Sequence, residues 1–455
     1  MILETKLFGK VYEFKSLREV MAKANEEKSG DKLAGIAAES AEERVAAKVV
    51  LSHITLEELR NNPAVPYEED EVTRIIQDGV NEQIYKEHKN KTVAEFREWI
   101  LDTCTTGDMI KRASRGLTSE MVAAVCKLMS NLDLIYAAKK IRISAHCNTT
   151  IGLPGTFSSR LQPNHTTDDP KGIMASVMEG LSVGCGDAVI GLNPVDDSVE
   201  SVARILKSFD EFKNKWEVPT QICVLAHVTT QMEAVRKMNA PIDLCFQSIA
   251  GSQKGNEAFG LTAAMLDEAH DMMMKEATST GPNLMYFETG QGSELSSEAH
   301  NGWDQVTMEA RCYGFAKRYN PFLVNTVVGF IGPEYLYDSK QVIRAGLEDH
   351  FMGKLTGIPM GCDACYTNHM KADQNDIENL ATLLVAAGCN YVMGVPQGDD
   401  CMLMYQCTGF HEAASLREVF GLRPIREFDM WLEKMGFSKD GILTPLAGDA
   451  SVFLK

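Results

Sequence analysis

A polar segment at residues 148–165 carries side chains that could bind a ligand. It is rich in Gly, Pro and Thr, and it ends with a cation, an amide and an imidazole, which are Arg160, Gln162 and His165. It follows the apolar run 142–147, which has the composition of a β-strand. Such an irregular segment predicts a surface loop rather than a helix or strand of the core. Loops that leave the C-terminal ends of strands hold the reactive groups of many α/β enzymes, so we expect ligand contacts here.

Two carboxylates each stand at the end of a run of apolar or small residues. Glu288 ends an apolar run before the Gly-rich residues 289–293, and Asp363 ends the run of apolar and small residues 357–362. Two carboxylates in a pocket without water attract an ammonium group, because each contact at ~4 Å is worth ~4 kcal/mol at an effective dielectric constant of ~20, before desolvation. Arg160 keeps such a pocket from being purely anionic and can donate to a hydroxyl or carbonyl oxygen. Many hydrolases and aldolases also contain two acids and an arginine.

The sequence lacks the common motifs for metal and nucleotide binding. Cys362 and Cys365 have the spacing of half a zinc site, but no second Cys or His pair follows them. We therefore expect this pair to pack in the core, and we predict no metal ligand among the protein side chains. Neither a Walker A motif nor a G-x-G-x-x-G after a strand is present. The Asp-x-His-x-x-Gly motif with which some cobalamin proteins bind cobalt is also missing.

Apolar runs alternate with helical segments from about residue 140 onward. The runs are 142–147, 188–192, 222–226, 244–247, 284–287, 322–327, 355–360 and 390–394. Eight runs, each followed by enough chain for a crossover helix, predict an α/β protein with a (β/α)₈ TIM barrel. An open doubly wound sheet is the alternative.

The first hundred residues have a different pattern, with four capping boxes that mark helix starts. These pairs are Ser16 with Glu19, Ser40 with Glu43, Thr55 with Glu58, and Thr92 with Glu95. We expect a helical N-terminal domain over residues 1–115 and a barrel that carries the active site over residues 116–455.

Polar residues stand at or just after the ends of six of the apolar runs. They are Asn193, His227, Gln247, Glu288, Asn325 and Asp363. In a parallel barrel the C-terminal ends of the strands meet at one face. We therefore expect these side chains to surround one central pocket.

Composition and net charge limit the classes of protein to which the chain could belong. The chain of 455 residues has a net charge of −18 without an acidic tail. An evenly acidic surface disfavours nucleic acid and mildly favours a cationic small substrate. No segment approaches the ~20 apolar residues of a membrane span, and the start lacks the features of a signal peptide. Twelve cysteines at irregular spacing predict reduced thiols and a cytoplasmic protein.

Five segments together carry a specific resemblance. They are residues 148–165, 191–194, 246–251, 287–293 and 357–363. With these segments, and essentially from end to end, the chain resembles the large, catalytic subunits of ethanolamine ammonia-lyases. The resemblance implies a TIM barrel with a helical N-terminal extension. It also implies an adenosylcobalamin-dependent radical 1,2-amino shift that converts ethanolamine to acetaldehyde and ammonia.

The resemblance also implies roles for individual residues. Ethanolamine would be bound by Arg160, Gln162, Asn193, Glu288 and Asp363, of which Arg160, Glu288 and Asp363 would assist the reaction. The corrinoid would contact Pro194, Gln247, Ser296 and Met402. The adenosyl side would be lined by Phe259 and Val327.

The same resemblance implies the state of the cofactor and the partners. Adenosylcobalamin would bind base-on, with no protein ligand to cobalt. A small subunit would complete the corrinoid site, and the large subunits would form a homo-oligomer within a hetero-oligomer. The complex would reside in a bacterial microcompartment.

Two other functions remain open from the residues alone. One is a cofactor-free or metal-dependent barrel lyase or aldolase that uses Glu288 as its base. The other is a non-catalytic microcompartment scaffold built around the helical N-terminus, for which polar groups at strand ends are unnecessary.

Overall fold

The first 140 residues are mainly helical. The computed structural model describes residues 2–7 and 9–454. A short antiparallel hairpin of β1 (Glu4–Leu7) and β2 (Lys10–Glu13) comes first. The helices that follow are α1 (Leu17–Lys23), α2 (Ser29–Leu33), α3 (Ala41–His53), α4 (Leu56–Arg60), α5 (Glu71–Asp78), α6 (Glu82–His88), α7 (Val93–Leu101), α8 (Gly107–Ala113), α9 (Ser119–Lys127) and α10 (Asn131–Lys140), with a 3₁₀ turn at Ser114–Gly116.

Helices begin where the four capping boxes predict them, at α1, α3, α4 and α7. Thr55 and Thr92 form complete capping boxes with Glu58 and Glu95. At α1 the Ser16 hydroxyl accepts the N–H of Glu19, as at the other caps. The Glu19 carboxylate, however, accepts the N–H of Lys15, one residue before the cap. Each pairing satisfies a donor that the helix start would otherwise leave free.

Strands and helices alternate in the rest of the chain. After a small hairpin of β3 (Ala145–His146) and β4 (Thr150–Ile151), the barrel strands are β5 (Ser158–Leu161), β6 (Val189–Leu192), β7 (Ile222–Val224), β8 (Cys245–Ser248), β9 (Met285–Thr289), β10 (Leu323–Val327), β11 (Met360–Asp363) and, after the short β12 (Cys365–Tyr366), β13 (Tyr391–Gly394). The intervening helices are α11 (Pro170–Ser182), α12 (Val199–Trp216), α13 (Val228–Met238), α14 (Gln253–Ala258), α15 (Ala263–Glu276), α16 (Ser293–Ser296), α17 (Gln305–Ala316), α18 (Ser339–Thr356) and α19 (Gln374–Ala386). The chain ends with β14 (Gln406–Cys407), α20 (Glu412–Phe420), α21 (Arg426–Met435), β15 (Ser438–Lys439) and β16 (Ile442–Leu443). Further 3₁₀ turns lie at Lys317–Tyr319, Pro396–Gly398 and Ala450–Leu454.

Eight parallel strands form one nearly closed barrel. Their order is β7-β6-β5-β13-β11-β10-β9-β8, and β7 also lies beside β8. Every hydrogen-bonded pair within this sheet is parallel. The predicted (β/α)₈ barrel with a helical N-terminal extension is thus confirmed, while the boundary between residues 115 and 116 stays a prediction.

The prediction for the first barrel strand was wrong. Within the predicted strand 142–147, only Ala145–His146 is extended, and it pairs with Thr150–Ile151 in the small hairpin outside the barrel. The true first strand is Ser158–Leu161, and it lies inside the segment that the sequence predicts as a loop. All four of its residues are buried. Arg160 therefore projects from a barrel strand and not from a surface loop.

The strand predicted at 355–360 was also wrong in its position. Helix α18 continues to Thr356 and ends at Gly357, whose φ of 95° is left-handed. The strand begins at Met360 and includes Asp363. Glycine after the last helical residue is a standard helix terminator, because it adopts this conformation without strain. The other six predicted runs correspond to barrel strands with small differences in their bounds.

Two glycines leave room for large side chains inside the barrel. A Cβ atom at Gly361 would lie 2.0 Å from Cζ of Tyr391, and one at Gly191 would lie 3.4 Å from Nε of Arg160. Tyr391 and Arg160 are both fully buried. A side chain at residue 361 would displace the Tyr391 ring, since interiors at native packing density have no spare volume.

Buried ion pairs connect the N-terminal helices to the barrel helices. Arg311 on α17 donates to Asp70 at 2.8 Å and to Glu120 at 2.7 Å, and all three side chains are almost completely buried. Lys28 lies 2.7 Å from Glu348 on α18 and is also buried. One continuous hydrophobic cluster includes residues from both regions. These contacts make the two regions one packed body.

Two further properties of the fold concern its helices and its cysteines. Over residues 2–7 and 9–454, no helix is both long enough and apolar enough to cross a bilayer. The twelve cysteines are free thiols, and only Cys104 and Cys401 are exposed.

Candidate active site

Arg160 connects the side chains at the C-terminal mouth of the barrel. It lies near the end of β5, and its side chain is fully buried. Nη1 donates to Oε1 of Glu288 at 2.7 Å and lies 3.6 Å from Oδ2 of Asp363. Nη2 donates to Oε1 of Gln162. The structure thus brings together four of the residues that the sequence analysis selects.

Glu288 receives its hydrogen bonds on one oxygen. Tyr286 O–H donates to Oε1 at 2.6 Å, in addition to the bond from Arg160. Asn325 Nδ2, from the register partner on β10, makes a longer contact of 3.4 Å with the same oxygen. No described residue donates to Oε2 of this carboxylate, whose side chain is 14% exposed. That oxygen can accept a hydrogen bond from a ligand.

Asp363 is buried at the end of β11 and has an unusually high pKa. Burial raises the pKa of this carboxyl to about 8; the charge on Arg160 opposes the shift and that on Glu288 adds to it. Its Oδ1 atom has no hydrogen-bond partner within the described chain, and neither has Oδ1 of the neighbouring Asn325. Three acceptor atoms on the adjacent strands β9, β10 and β11 therefore lack donors. A buried acceptor without a donor is costly, so this arrangement suits a ligand with several N–H groups.

Gln162 and Asn193 form a second group of bonds beside Arg160. Asn193 Nδ2 donates to Oε1 of Gln162 at 2.9 Å, the atom that also accepts from Arg160. The N–H of Asn193 donates to Oδ1 of Asn164 at 2.8 Å. All five predicted substrate residues thus belong to one connected set.

Asp400, after the last barrel strand, holds this set in place. Its Oδ2 accepts from Gln162 Nε2 and Asn164 Nδ2, both at 2.8 Å. Its Oδ1 accepts the N–H groups of Met402 at 3.0 Å and Leu403 at 2.6 Å. One buried carboxylate therefore fixes the amides of the site and the turn that carries Met402.

The sequence analysis missed four residues of this cluster, which are Tyr286, Asn164, Asp400 and Tyr405. Tyr286 could have been predicted from the sequence, because residues two apart on a strand share a face and Glu288 lies two residues after Tyr286 on β9. The hydroxyl oxygen of Tyr405 accepts a hydrogen bond from Gln162 Nε2 at 3.0 Å. Asp400 and Tyr405 had no such signal, since they lie on a loop whose course the sequence does not specify.

The four residues predicted to contact the corrinoid lie in several loops and strand ends on the same side. Pro194 follows Asn193 after β6, and Met402 lies in the turn held by Asp400. Gln247 is buried on β8, where its Oε1 accepts the N–H of Val228 at 2.8 Å. Ser296 ends α16 and is exposed. None of the four makes a side-chain hydrogen bond to Arg160, Glu288 or Asp363 in the part of the chain that is described.

Exposed apolar side chains follow several of the barrel strands. Val195, Phe259, Phe330 and Met404 are 52%, 39%, 38% and 71% exposed, and they follow β6, β8, β10 and β13. Val327, predicted beside the adenosyl group, is half-buried and is the register partner of Asp363. Large apolar groups exposed around a polar cleft are typical of a surface that binds another molecule.

Cys362 and Cys365 pack as the sequence analysis expects. Both are buried, and burial raises the pKa of each thiol well above its usual value. No group of three or more His, Cys, Asp or Glu side chains in the described residues is arranged to hold a metal ion. His227 caps α13, and its Nε2 atom is buried without a partner among those residues.

The family model and the sequence relatives carry the same description. The family model described as "Ethanolamine ammonia lyase large subunit (EutB)" matches residues 12–445. The "Ethanolamine ammonia-lyase large subunit" of Escherichia coli (strain K12) is 59% identical over 453 residues, which is 100% of both chains. The protein with the same description from Salmonella typhimurium (strain LT2) is 60% identical, again over 100% of both chains. A truncated 3-deoxy-D-arabino-heptulosonate 7-phosphate synthase from Thermotoga maritima is a remote structural match, with 11% identity, a TM-score of 0.35, and 60% of this chain and 90% of that chain covered.

Proposed function

The chain belongs to the family of ethanolamine ammonia-lyase large subunits, and from that premise we propose that its barrel-mouth cluster binds ethanolamine and converts it to acetaldehyde and ammonia. The observation that carries this proposal is the excess of acceptors on β9, β10 and β11. Glu288 Oε2, Asp363 Oδ1 and Asn325 Oδ1 all lack donors within the described residues. A substrate ammonium group supplies three N–H donors and a positive charge.

Arg160 and Asn193 suit the hydroxyl end of the substrate. Arg160 and Asn193 donate to Gln162, and Arg160 also donates to Glu288, so these side chains are held at fixed positions. In the proposed complex Arg160, Asn193 and Glu288 reach the substrate hydroxyl, while the carboxylates and Gln162 surround the amino group. Donors and acceptors that are already oriented act strongly in a site that excludes water.

Adenosylcobalamin, when bound, supplies the carbon radical that removes hydrogen from an unactivated C–H bond, which no side chain here can do. The exposed apolar residues Val195, Phe259, Phe330 and Met404 fit a large group that covers the barrel mouth. Pro194, Gln247, Ser296 and Met402 would hold the corrinoid, with its own base kept on cobalt. The protein residues would then hold the amino group and the hydroxyl while the amino group moves between carbons. Arg160 and Glu288 would stabilise the charge that shifts during that movement.

The proposal includes partners and a location. The family description as a large subunit supports a small-subunit partner, which we propose completes the corrinoid site. We further propose that the large subunits associate with one another within this hetero-oligomer. The complex would lie in the cytoplasm, inside a bacterial microcompartment.

The test is an assay of the complex of large and small subunits with adenosylcobalamin and ethanolamine. We expect acetaldehyde and ammonia as products, and a cobalamin radical signal in electron paramagnetic resonance under turnover only. Product without added cobalamin would instead favour the cofactor-free or metal-dependent lyase, and no product under any condition would favour a scaffold.

A matched pair of variants ties this activity to the site. Glu288→Gln removes the charge that faces the amino group, so kcat/KM should fall by about 10²-fold or more. Glu298→Gln changes an exposed acid that follows α16 and should leave kcat/KM unchanged. Equal activity of both variants would place the reaction elsewhere.

A further inference from the structure

A second cavity, remote from the barrel mouth, lies between the N-terminal helices and the barrel helices. Its volume is about 690 Å³, and its walls come from α5, α9, α15 and α17 with the segment before α9. None of the proposed substrate or corrinoid residues lines it. The apolar side is formed by Ile75 and Ile76 on α5, with Leu117 and Val122. The cavity is large enough for a small metabolite.

The polar end of the cavity is the start of α9. Thr118 occupies the N-cap position, yet its side chain makes no capping bond. The hydroxyl oxygens of Thr118 and Ser119 have no hydrogen-bond partner in the described part of the chain. These residues are only 1% and 3% exposed. Two buried hydroxyls without partners at a helix N-terminus provide donors where the helix dipole favours an anion.

Lys317 brings a positive charge to the same end. It lies one turn after Gly314 of α17, and a Cβ atom at Gly314 would be 2.3 Å from Oγ of Ser119. The close approach of Gly314 to Ser119 therefore brings the end of α17 against the start of α9. Lys317 Nζ donates to the carbonyl of Ser114 at 3.0 Å, and it forms no ion pair with any described residue. Burial lowers the pKa of Lys317 to about 8, so the amine is still mostly protonated at neutral pH.

The acids around the cavity have other partners. Asp267 accepts a bond from Arg318 at 3.0 Å. Glu71 accepts the N–H of Ala263 at 3.0 Å, and Asp78 accepts the Tyr67 hydroxyl at 3.1 Å. The ammonium group of Lys317 is thus left without a counter-charge. A partly desolvated charge without a counter-charge is costly, and an anion from solution would offset that cost.

We propose that this cavity binds a small organic anion, with one carboxylate or phosphate group at Lys317, Thr118 and Ser119. The apolar body of that anion lies against Ile75, Ile76 and Val122. Such a ligand pairs the half-buried Lys317 ammonium, supplies acceptors to both hydroxyls and covers the apolar wall. The site is independent of the proposed lyase chemistry, and its occupant bridges the N-terminal helices and the barrel.

The test uses the intact complex of large and small subunits with hexanoate, hexyl phosphate and inorganic phosphate as probes. Isothermal titration calorimetry should detect millimolar or tighter binding of hexanoate or hexyl phosphate, and the tighter of the two identifies the charged group. Lys317→Gln should weaken that binding by about tenfold or more, as expected from losing one charge-assisted hydrogen bond. Lys275→Gln, an exposed lysine near the end of α15, is the matched control and should leave the affinity unchanged.

A second variant tests the same site independently, in case Lys317→Gln does not fold normally. Ser119→Ala removes one of the two unpartnered hydroxyls, so the thermal midpoint without probe should stay the same or rise, while probe affinity falls. The kcat/KM for ethanolamine should remain near that of the unaltered enzyme in all three variants. The proposal is overturned if no probe binds at millimolar concentration, or if Lys317→Gln and Ser119→Ala bind the probes as tightly as the unaltered protein.

Discussion

The acceptor atoms of Glu288, Asp363 and Asn325 outnumber the donors that reach them. Glu288 collects its bonds on Oε1, and Oδ1 of both Asp363 and Asn325 has no partner among the described residues. Burial and the nearby charge of Glu288 raise the pKa of Asp363 to about 8, although Arg160 opposes the shift. Without a ligand, Asp363 is therefore protonated at neutral pH. A substrate cation would replace that proton.

This replacement predicts that ethanolamine binding depends on pH. Below a pH of about 8 the Asp363 proton must leave when the cation binds, so affinity should rise as pH rises toward 8 and level off above it. Calorimetry at pH 6.5 (an illustrative value about 1.5 units below that pKa) in two buffers of different ionisation enthalpy should detect release of nearly one proton. Asp363→Asn should bind more weakly and release none. Binding with the same proton release in both proteins would contradict this role for Asp363.

Arg160 is expected to be the position at which a single substitution lowers kcat/KM most. Arg160→Ala removes a donor and also leaves Glu288 without its buried counter-charge, and removing one partner of a buried ion pair costs ~3–5 kcal/mol. In kcat/KM this corresponds to a loss of about 10²-fold or more. Arg160→Lys keeps the charge but loses the fork of donors, so its loss should be intermediate. A loss below tenfold for Arg160→Ala in steady-state assays would contradict the role.

At the scale of elements, the sequence predicts six of the eight barrel strands well and misplaces the first strand and β11. The apolar runs that become β6 to β10 and β13 are recognisable because both faces of a barrel strand are buried. In β5, Ser158 and Arg160 are polar and yet buried, so the period of two that marks a strand is hidden. The strand that carries the central site residue is thus the one whose sequence looks least like a strand. The error at β11 was avoidable, because Gly357 marks the end of α18.

Asp400 is predicted to couple the substrate residues to the turn that carries Met402. Asp400→Asn keeps the size of the side chain, but one of its two acceptor oxygens becomes an amide donor that faces the donors of Gln162, Asn164 or Met402. We expect KM for ethanolamine and the Kd for adenosylcobalamin both to rise, by about tenfold or more. Steady-state assays and spectroscopic cobalamin titration measure the two effects.

Asp399→Asn is the matched control for this prediction, because Asp399 is exposed and, among residues 2–7 and 9–454, its side chain accepts a hydrogen bond only from Gln406. It should leave both constants unchanged. If Asp400→Asn altered KM alone, with normal cobalamin binding, Asp400 would orient the amides without coupling them to the turn.

At the scale of the whole molecule, buried charges make the N-terminal helices part of the enzyme core. Arg311 on α17 pairs with Asp70 and Glu120, and Lys28 pairs with Glu348 on α18. The sequence predicts the N-terminal helices from their caps, because capping is local. It does not predict which buried acid meets which cation, since these partners are separated by up to 320 positions between residues 28 and 348.

The Arg311 network should matter for stability far more than an exposed ion pair of similar length. Arg311→Met leaves two buried carboxylates unpaired, so the free energy of unfolding should fall by ~3–5 kcal/mol. Arg236→Met breaks the 2.7 Å pair with Glu268, in which both side chains are about half exposed, and should cost ~0–1 kcal/mol. Urea unfolding followed by circular dichroism compares the two variants. Equal losses would show that the N-terminal helices do not depend on this buried network.

The most direct test is a crystal structure of the complex with ethanolamine and a non-reactive cobalamin. The account predicts density for a small molecule at the barrel mouth, with its amino group within hydrogen-bond distance of Glu288 and Asp363 and its oxygen beside Arg160. Ethanolamine bound away from these three side chains, with the acceptors on β9 to β11 filled by water, would contradict it.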